Sequence, residues 1–201
     1  MVTLKIDGKE VQVPEETPIL KAAEKAGIWI PTLCYSELFE PYGVCRLCVV
    51  EAVKGKRSRV VTSCNYPVRE GISVLTDSPK IQWIRKTIME LMLSRWPNVK
   101  VVRELAQQLR VEKPRFVSLE RDEAEDACIL CGKCVNVCRE VVQANVIGFS
   151  YRGIKREVAL PFGVQSEACI VCGACAHVCP TGHIKMVVED YKGKKPEFTL
   201  G

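Results

Sequence analysis

The sequence lacks any apolar run long enough to cross a bilayer as a helix, which takes about 20 residues. Its longest largely apolar stretch, residues 88–93, is short and is flanked by the charged residues Arg85, Lys86 and Arg95. We therefore expect no transmembrane segment, and a protein that is soluble or peripheral to a membrane.

The opening residues 1–5 also lack a charged-then-apolar leader, which favours a cytoplasmic location. No Gly-x-Gly-x-x-Gly turn follows a predicted strand and no phosphate-binding loop occurs, so the residues do not predict nucleotide binding. The net charge is only +5, and the one dense basic run, residues 54–59, is predicted to be a solvated hairpin tip. We therefore expect no nucleic-acid partner.

Histidine is scarce as well, because His177 and His183 are the only two in the sequence. Both stand beside a run of cysteines, where a histidine could tune a nearby redox potential or couple it to pH. A plain packing or surface role is the favoured interpretation.

Cysteine is what the sequence has in excess, with 12 in 201 residues. Most of these cysteines are separated by gaps of two or three residues, a spacing that suits shared metal centres better than long-range staples. Structural disulfides are the alternative. They are disfavoured because no leader directs the chain to an oxidising compartment and because the chain is long enough to fold around its own core.

The C-terminal part contains an internal repeat, in which Cys128, Cys131, Cys134 and Cys138 recur 41 positions later. In this spacing three thiolates hold one [4Fe–4S] cubane, and the fourth turns towards the other cubane. Zinc is the alternative, although zinc sites favour two separate Cys-x2-Cys pairs. The predicted ligand sets are Cys128, Cys131, Cys134 and Cys179 for cluster A, and Cys169, Cys172, Cys175 and Cys138 for cluster B.

The N-terminal cysteines Cys34, Cys45, Cys48 and Cys64 do not have the plant-type spacing. Their surroundings, PTLC at 31–34, GVCRLCV at 43–49 and TSC at 62–64, resemble the [2Fe–2S] module of a respiratory family. That family includes the large iron–sulfur subunit of complex I, the diaphorase small subunit of NAD-reducing and bifurcating hydrogenases, and NAD-linked formate dehydrogenases. Residues 85–97 resemble its connector helix, and residues 128–141 its twin-cubane domain.

The resemblance implies that these four N-terminal cysteines hold one [2Fe–2S] cluster, in addition to the two [4Fe–4S] clusters. The sequence departs from the family at one point, since residues 98–126 contain neither histidine nor cysteine. The cubane that the family usually holds there with one histidine and three cysteines is therefore absent.

The expected fold class is α+β. Residues 1–77 are predicted to form a β-grasp [2Fe–2S] domain, residues 78–127 a helical connector and linker, and residues 128–201 a twin-[4Fe–4S] ferredoxin-like domain with a C-terminal tail. Thr17 before Pro18, and Ser78 before Pro79, are each typical of a helix N-cap followed by proline. The second of these helices is predicted to be buried through Ile81, Ile84, Ile88, Leu91 and Met92, with Trp83 and Trp96 in the helix core.

The resulting functional prediction is a non-catalytic electron-transfer subunit of a hetero-oligomeric oxidoreductase. No residue is assigned to bond-making chemistry. The resemblance implies that the subunit relays single electrons between a flavin- and NAD(P)-binding iron–sulfur subunit and a catalytic subunit such as a hydrogenase or formate dehydrogenase. A soluble ferredoxin is a further partner that it allows. A free polyferredoxin that shuttles electrons among several enzymes is the main alternative, and a redox sensor or structural metal protein is another.

Overall fold

The computed structural model describes residues 1–164, 166–187 and 197–200. The remaining parts of the predicted C-terminal tail, 188–196 and 201, lie outside the described residues. The chain divides into two compact units. The first comprises Met1–Tyr35, Pro41–Leu91 and Leu105–Arg115, and the second comprises Ser36–Glu40, Met92–Glu104 and Phe116–Gly201. The boundaries expected at residues 77 and 127 stay predictions.

The first unit is built on a five-stranded sheet with the order β2-β1-β5-β3-β4. Strands β1 and β5 run parallel, and the other neighbours pair antiparallel. The strands are β1 (Val2–Ile6), β2 (Lys9–Val13), β3 (Val49–Lys54), β4 (Arg57–Thr62) and β5 (Ser73–Leu75). The exposed residues Gly55 and Lys56 join β3 to β4, which confirms that the basic run is a hairpin tip.

Helix α1 (Ile19–Lys25) supplies the apolar cover of this sheet. In β1, Val2, Leu4 and Ile6 are buried while Lys5 is exposed, as the period-two geometry of a strand requires. These side chains share one core with Ile19 and the other buried residues of α1. The predicted β-grasp arrangement of two hairpins with a helix laid across them is therefore present.

Helix α1 begins one residue later than its sequence signature predicts, so the expected capping by Thr17 is wrong. Pro18 occupies the cap position in an extended conformation, and no side chain caps the helix. The Thr17 hydroxyl instead donates to the Pro14 carbonyl at 2.7 Å. The cause is a β-bridge between Pro18 and Pro67, which holds residue 18 in extended backbone.

Helix α2 (Pro79–Arg95) begins as predicted, because the Ser78 hydroxyl accepts the Ile81 backbone N–H at 3.4 Å. Its buried stripe differs from the predicted one. Ile81, Arg85 and Met89 are fully buried at i, i+4 and i+8, whereas Leu91 is 50% exposed. Trp83 is also exposed, at 63%, so its predicted place in the core is wrong.

Helix α3 (Lys100–Gln108) follows α2, and Trp96 in the intervening segment is buried as predicted. The remaining helices are short: α4 (Lys133–Asn136), which runs into a π-helical turn over Val137–Val141, and α5 (Ala174–His177). None of the helices in the described ranges is long and apolar enough to span a membrane.

The second unit also contains two small antiparallel hairpins. Their strands are β6 (Gly148–Ser150), β7 (Glu157–Ala159), β8 (Ile184–Val187) and β9 (Glu197–Leu200). Helices α4 and α5 each begin after a left-handed glycine, Gly132 with φ 74° and Gly173 with φ 72°. The backbone therefore repeats with the cysteines, as a duplicated half-domain requires.

Candidate metal centres

The four N-terminal cysteines come together in the first unit from three loops. Cys34 follows α1, Cys45 and Cys48 precede β3, and Cys64 follows β4. The Cys45 backbone N–H donates to Cys34 Sγ at 3.5 Å. The thiols of Cys34 and Cys45 form one hydrogen-bonded pair, and those of Cys48 and Cys64 form another.

These pairings separate the proton affinities within each pair. The hydrogen bond from Cys34 is the main cause that lowers the pKa of Cys45 to about 6, and the bond from Cys64 lowers the pKa of Cys48 to about 7. The same bonds, followed by burial, raise the pKa of Cys34 and of Cys64 above the usual range. Each pair can therefore present one thiolate near neutral pH, which is the form that binds metal.

The repeat cysteines gather in two groups in the second unit, and each group draws on both copies of the repeat. One cavity is lined by Cys128, Cys131, Cys134 and Cys179. A second cavity is lined by Cys138, Cys169, Cys172 and Cys175. The fourth cysteine of each copy thus lies with the first three of the other copy, which is the arrangement of the predicted ligand sets A and B.

The walls of the first of these cavities supply backbone N–H donors to sulfur. Burial raises the pKa of Cys131 to about 11, and the backbone N–H of Lys133 acts in the opposite direction. At Cys179 burial also raises the pKa, but the backbone N–H of Ile184 and the Thr181 hydroxyl are among the donors that bring it below its usual value. Such donors stabilise negative charge on sulfur and raise the reduction potential of an iron–sulfur centre.

The second cavity has residues that are more open to solvent. Cys172 is the one exposed cysteine of the twelve, and Ile170 near it is 71% exposed. Burial still raises the pKa of Cys175 to about 11. The two cavities are therefore related by the repeat but differ in solvation.

The histidines take different positions. His177 is exposed at the end of α5, as a surface role predicts. His183 lines the cavity that holds Cys128 and Cys179, and its Nδ1 lies 3.2 Å from the Asp126 carbonyl oxygen.

Sequence reasoning missed Arg85, whose guanidinium donates to the carbonyls of Leu47 and Val49 on either side of Cys48. A hydrophobicity pattern treats a cation in an amphipathic helix as solvent-facing, and so it does not mark Arg85 as buried. The signal was present in its spacing, four residues from both Ile81 and Met89.

The residues present fit iron–sulfur clusters. All twelve cysteines are free thiols, so the disulfide alternative is not what the structure shows. The cysteine sulfurs line the walls of cavities, and in the described residues no three His, Cys, Asp or Glu side chains converge on one point suited to a single metal ion. At Gly173 an added Cβ would lie 2.7 Å from Met186 Sδ, so a side chain there would require Met186 to move.

Fold and donor set together define an iron–sulfur protein with an N-terminal ferredoxin-like domain and a C-terminal domain of two cubane-type sites. Family models agree with this class. Residues 1–79 match a 2Fe-2S iron-sulfur cluster binding domain, and residues 127–194 match a 4Fe-4S dicluster domain. The predicted α+β fold with these two domains is therefore confirmed, as is the presence of iron–sulfur centres.

Curated relatives include the NADPH-Fe(3+) oxidoreductase subunit alpha of Geobacter sulfurreducens, 39% identical over 173 residues, which cover 76% of this chain and 20% of the relative. The NADP-reducing hydrogenase subunit HndD of Solidesulfovibrio fructosivorans is 34% identical over 190 residues, 81% of this chain and 32% of the relative. An NADH-quinone oxidoreductase subunit of Rickettsia bellii is 29% identical over 178 residues, 79% of this chain and 26% of the relative.

Among solved structures, a chain of an NAD+-reducing [NiFe]-hydrogenase in the H2-reduced state superposes with a TM-score of 0.74 at 25% identity. The match covers 90% of this chain and 85% of that chain. The predicted resemblance to subunits of NAD(P)-linked hydrogenases and of complex I is thus confirmed. The chain spans about a fifth to a third of the length of the curated relatives that it matches.

Proposed function

We propose that the chain holds three clusters and relays single electrons through them. One [2Fe–2S] cluster is assigned to Cys34, Cys45, Cys48 and Cys64. Two [4Fe–4S] clusters are assigned to the sets Cys128, Cys131, Cys134, Cys179 and Cys169, Cys172, Cys175, Cys138. When bound, these groups supply one-electron chemistry, while the chain supplies ligands, amide donors and burial.

The observation that carries this proposal is the exchange of cysteines between the two repeat copies. Cys179 lines a cavity with the first three cysteines of the other copy, and Cys138 does the same in reverse. A pair of independent metal-binding loops would have no reason to exchange their fourth ligands. In two-cluster ferredoxins the exchange ties both cubanes to one core, which suits a fixed path between them.

The proposed partners follow from what the relatives are named for and from what this chain lacks. The relatives are subunits of an NADPH-linked oxidoreductase, an NADP-reducing hydrogenase and an NADH-quinone oxidoreductase. Since this sequence has no dinucleotide motif, we assign NAD(P)H and flavin binding to a partner iron–sulfur subunit. The second partner is a catalytic oxidoreductase subunit such as a hydrogenase or formate dehydrogenase. The cytoplasm is the proposed location, because cluster ligands must stay reduced.

Anaerobic quantification of iron and sulfide on the purified chain, with EPR of the dithionite-reduced protein, tests the cofactor assignment. We expect about ten irons per chain, from one [2Fe–2S] and two [4Fe–4S] clusters. The EPR spectrum should show one [2Fe–2S] signal and two interacting [4Fe–4S] signals. About six irons would mean that one cubane site is not used, and zinc in place of iron would contradict the electron-transfer function altogether.

A further inference from the structure

Arg85 is a buried cation in the first unit. It lies in α2 between Ile81 and Met89 on the buried stripe, and only 4% of the residue is exposed. Its Nε donates to the Leu47 carbonyl at 3.1 Å and its Nη2 to the Val49 carbonyl at 2.8 Å. These two carbonyls belong to the residues that immediately precede and follow Cys48, so one side chain holds the backbone on both sides of a candidate ligand.

The charge of Arg85 is not neutralised by direct contact. In the described ranges no carboxylate forms an ion pair with it, although Asp77 and Asp7 are close enough to favour its protonated form. Burial lowers the pKa of Arg85, yet a guanidinium starts so far above neutrality that it stays charged. A charge that is shielded from water acts strongly on its neighbours, and Cys48 beside it is only 1% exposed.

Hydrogen bonding alone does not require a cation here, because a neutral amide could also donate to a carbonyl. Burying a charge without a paired anion is unfavourable unless it meets compensating negative charge. Asp77 and Asp7 supply part of that negative charge. A cluster held by four thiolates would supply more of it beside Cys48, and reduction would increase it by one. The position of Arg85 beside Cys48 therefore suits the reduced centre in addition to holding the loop.

We propose that Arg85 is a positioning residue that holds the Cys48 loop and raises the reduction potential of the [2Fe–2S] centre. The inference rests on the proposed function, in which Cys48 is a cluster ligand. The step concerned is a one-electron reduction, with the electron supplied by an external reductant such as dithionite. No bond is formed or broken, and the positive charge favours the more negative product.

The test is an EPR-monitored redox titration of the full chain with all clusters loaded. The Arg85→Gln variant keeps amide donors for a loop carbonyl but removes the charge. We expect its [2Fe–2S] reduction equilibrium constant to fall at least about tenfold, a shift of about 59 mV to lower potential for one electron. The [4Fe–4S] signals serve as an internal reference and should titrate as in the wild type.

Two control variants separate charge from structure. Lys86→Gln removes a cation from the adjacent, exposed position of the same helix and should leave all potentials unchanged. Arg85→Lys keeps the charge with a different donor geometry, so its [2Fe–2S] potential should remain close to that of the wild type.

Three results would overturn the inference. One is an unchanged [2Fe–2S] potential in a fully loaded Arg85→Gln variant. Another is an equal shift in Arg85→Lys, which would indicate hydrogen-bond geometry rather than charge. The last is an equal shift of the [2Fe–2S] potential in Lys86→Gln, which would indicate a general effect of helix charge rather than the buried position of Arg85. A wild-type chain without any [2Fe–2S] signal would instead contradict the proposed function itself.

Discussion

A left-handed apolar residue stands between the first two cysteines of each repeat copy. Leu130 has φ 56° and Val171 has φ 52°, conformations that side chains with a Cβ rarely adopt. The strain is greater for Val171 because it is β-branched. Strained backbone of this kind persists where the surroundings demand it, and here it occurs in both loops that surround the cysteine-lined cavities. Between Cys45 and Cys48 of the first centre it is the first residue, Arg46, that is left-handed, with φ 60°.

Paired cysteine substitutions should reveal which cysteines share a cluster. Removing Cys128 and Cys179 together affects one proposed cubane, so the chain should retain about six irons. Removing Cys175 and Cys179 affects both cubanes, so only the [2Fe–2S] cluster, with about two irons, should remain. Serine is the substituent in each case, and anaerobic iron and sulfide analysis is the measurement. If each repeat copy bound its own cluster, the two results would be exchanged.

The cysteine pKa shifts predict that the two kinds of centre load at different pH. In the first centre the pKa of Cys45 is lowered to about 6 and that of Cys48 to about 7, while the pKa values of their partners Cys34 and Cys64 are raised above the usual range. In the second unit the pKa values of Cys131 and Cys175 are raised to about 11, and that of Cys179 is lowered. Because ligation needs thiolates and iron first binds through the thiols that ionise most readily, the two thiols of lowered pKa in the first centre favour the start of its loading at lower pH. Reconstitution at pH 6.5 should therefore favour the [2Fe–2S] centre.

The measurement is the ratio of [2Fe–2S] to [4Fe–4S] EPR signals after anaerobic reconstitution of the cluster-free chain at a series of pH values. The ratio should fall as the pH is raised towards 8.5, because the buried thiols of the second unit then ionise more readily. Each sample is returned to one common pH before the spectrum is recorded, so that only loading is compared. A ratio that does not change with pH would contradict the prediction.

At the scale of elements, the same local signature had two outcomes. Thr17-Pro18 and Ser78-Pro79 both predict a capped helix start, but only Ser78 caps its helix. The difference lies in residues distant in sequence. Ile19 N–H donates to the Tyr66 carbonyl at 2.9 Å, and Val68 N–H donates to the Thr17 carbonyl at 2.8 Å. These bonds hold the first segment extended, and a local pattern cannot report partners some 50 positions away.

Helix α2 shows that a local sequence pattern is also insufficient to predict which residues are buried. The apolar period correctly located the helix, but a hydrophobicity pattern treats arginine as exposed and so placed the buried face on Leu91 and Met92. The actual stripe passes through Arg85, whose burial depends on two carbonyls in the Cys48 loop. The cysteine spacing, by contrast, predicts two ligand sets directly, because the geometry of a cubane constrains it, and the repeat cysteines line two cavities in the corresponding groups.

The loop that begins α5 can be tested through its glycine. Gly173→Ala places a side chain at φ 72° and directs its Cβ towards Met186 Sδ, 2.7 Å away. Gly182→Ala is the matched control, since it has φ 73° with nothing within 4 Å. In both variants the free energy of unfolding should fall by about 1–2 kcal/mol because of backbone strain. In Gly173→Ala the free energy of unfolding should fall by about 1 kcal/mol more, because the added methyl group overpacks against Met186.

Anaerobic thermal transitions of the loaded protein, followed by cluster absorbance at one scan rate, provide the comparison. The additional loss in Gly173→Ala should disappear in a Met186→Ala background, while the strain common to both glycine variants should remain. An additional loss that persists without Met186 would show that contact with this side chain is not its cause.

At the scale of the whole molecule, the sequence indicates where the electron path is interrupted. The family resemblance includes a cubane with one histidine and three cysteines after the connector helix, yet residues 98–126 contain no such ligands. In the described structure this stretch holds α3 and an irregular segment with Arg115, which forms a 2.7 Å ion pair with the buried Glu90. A relay in this chain therefore depends on the three proposed centres alone.

The final prediction separates a wired subunit from a free polyferredoxin. Isolated chain should be reduced by dithionite but not by NADH or NADPH, because it has no motif for a dinucleotide. Tagged chain purified anaerobically from its native host should carry a flavin-containing subunit, and NADH or NADPH should then reduce its clusters. Fold-level kinship alone would not guarantee this result, since ferredoxin-like domains serve many unrelated enzymes.

If the tagged chain is instead recovered alone with all clusters loaded, and several added reductases reduce it at similar rates, the diffusible carrier is the better description. The three proposed centres would then still carry electrons, but the path between enzymes would depend on diffusion rather than on a fixed interface.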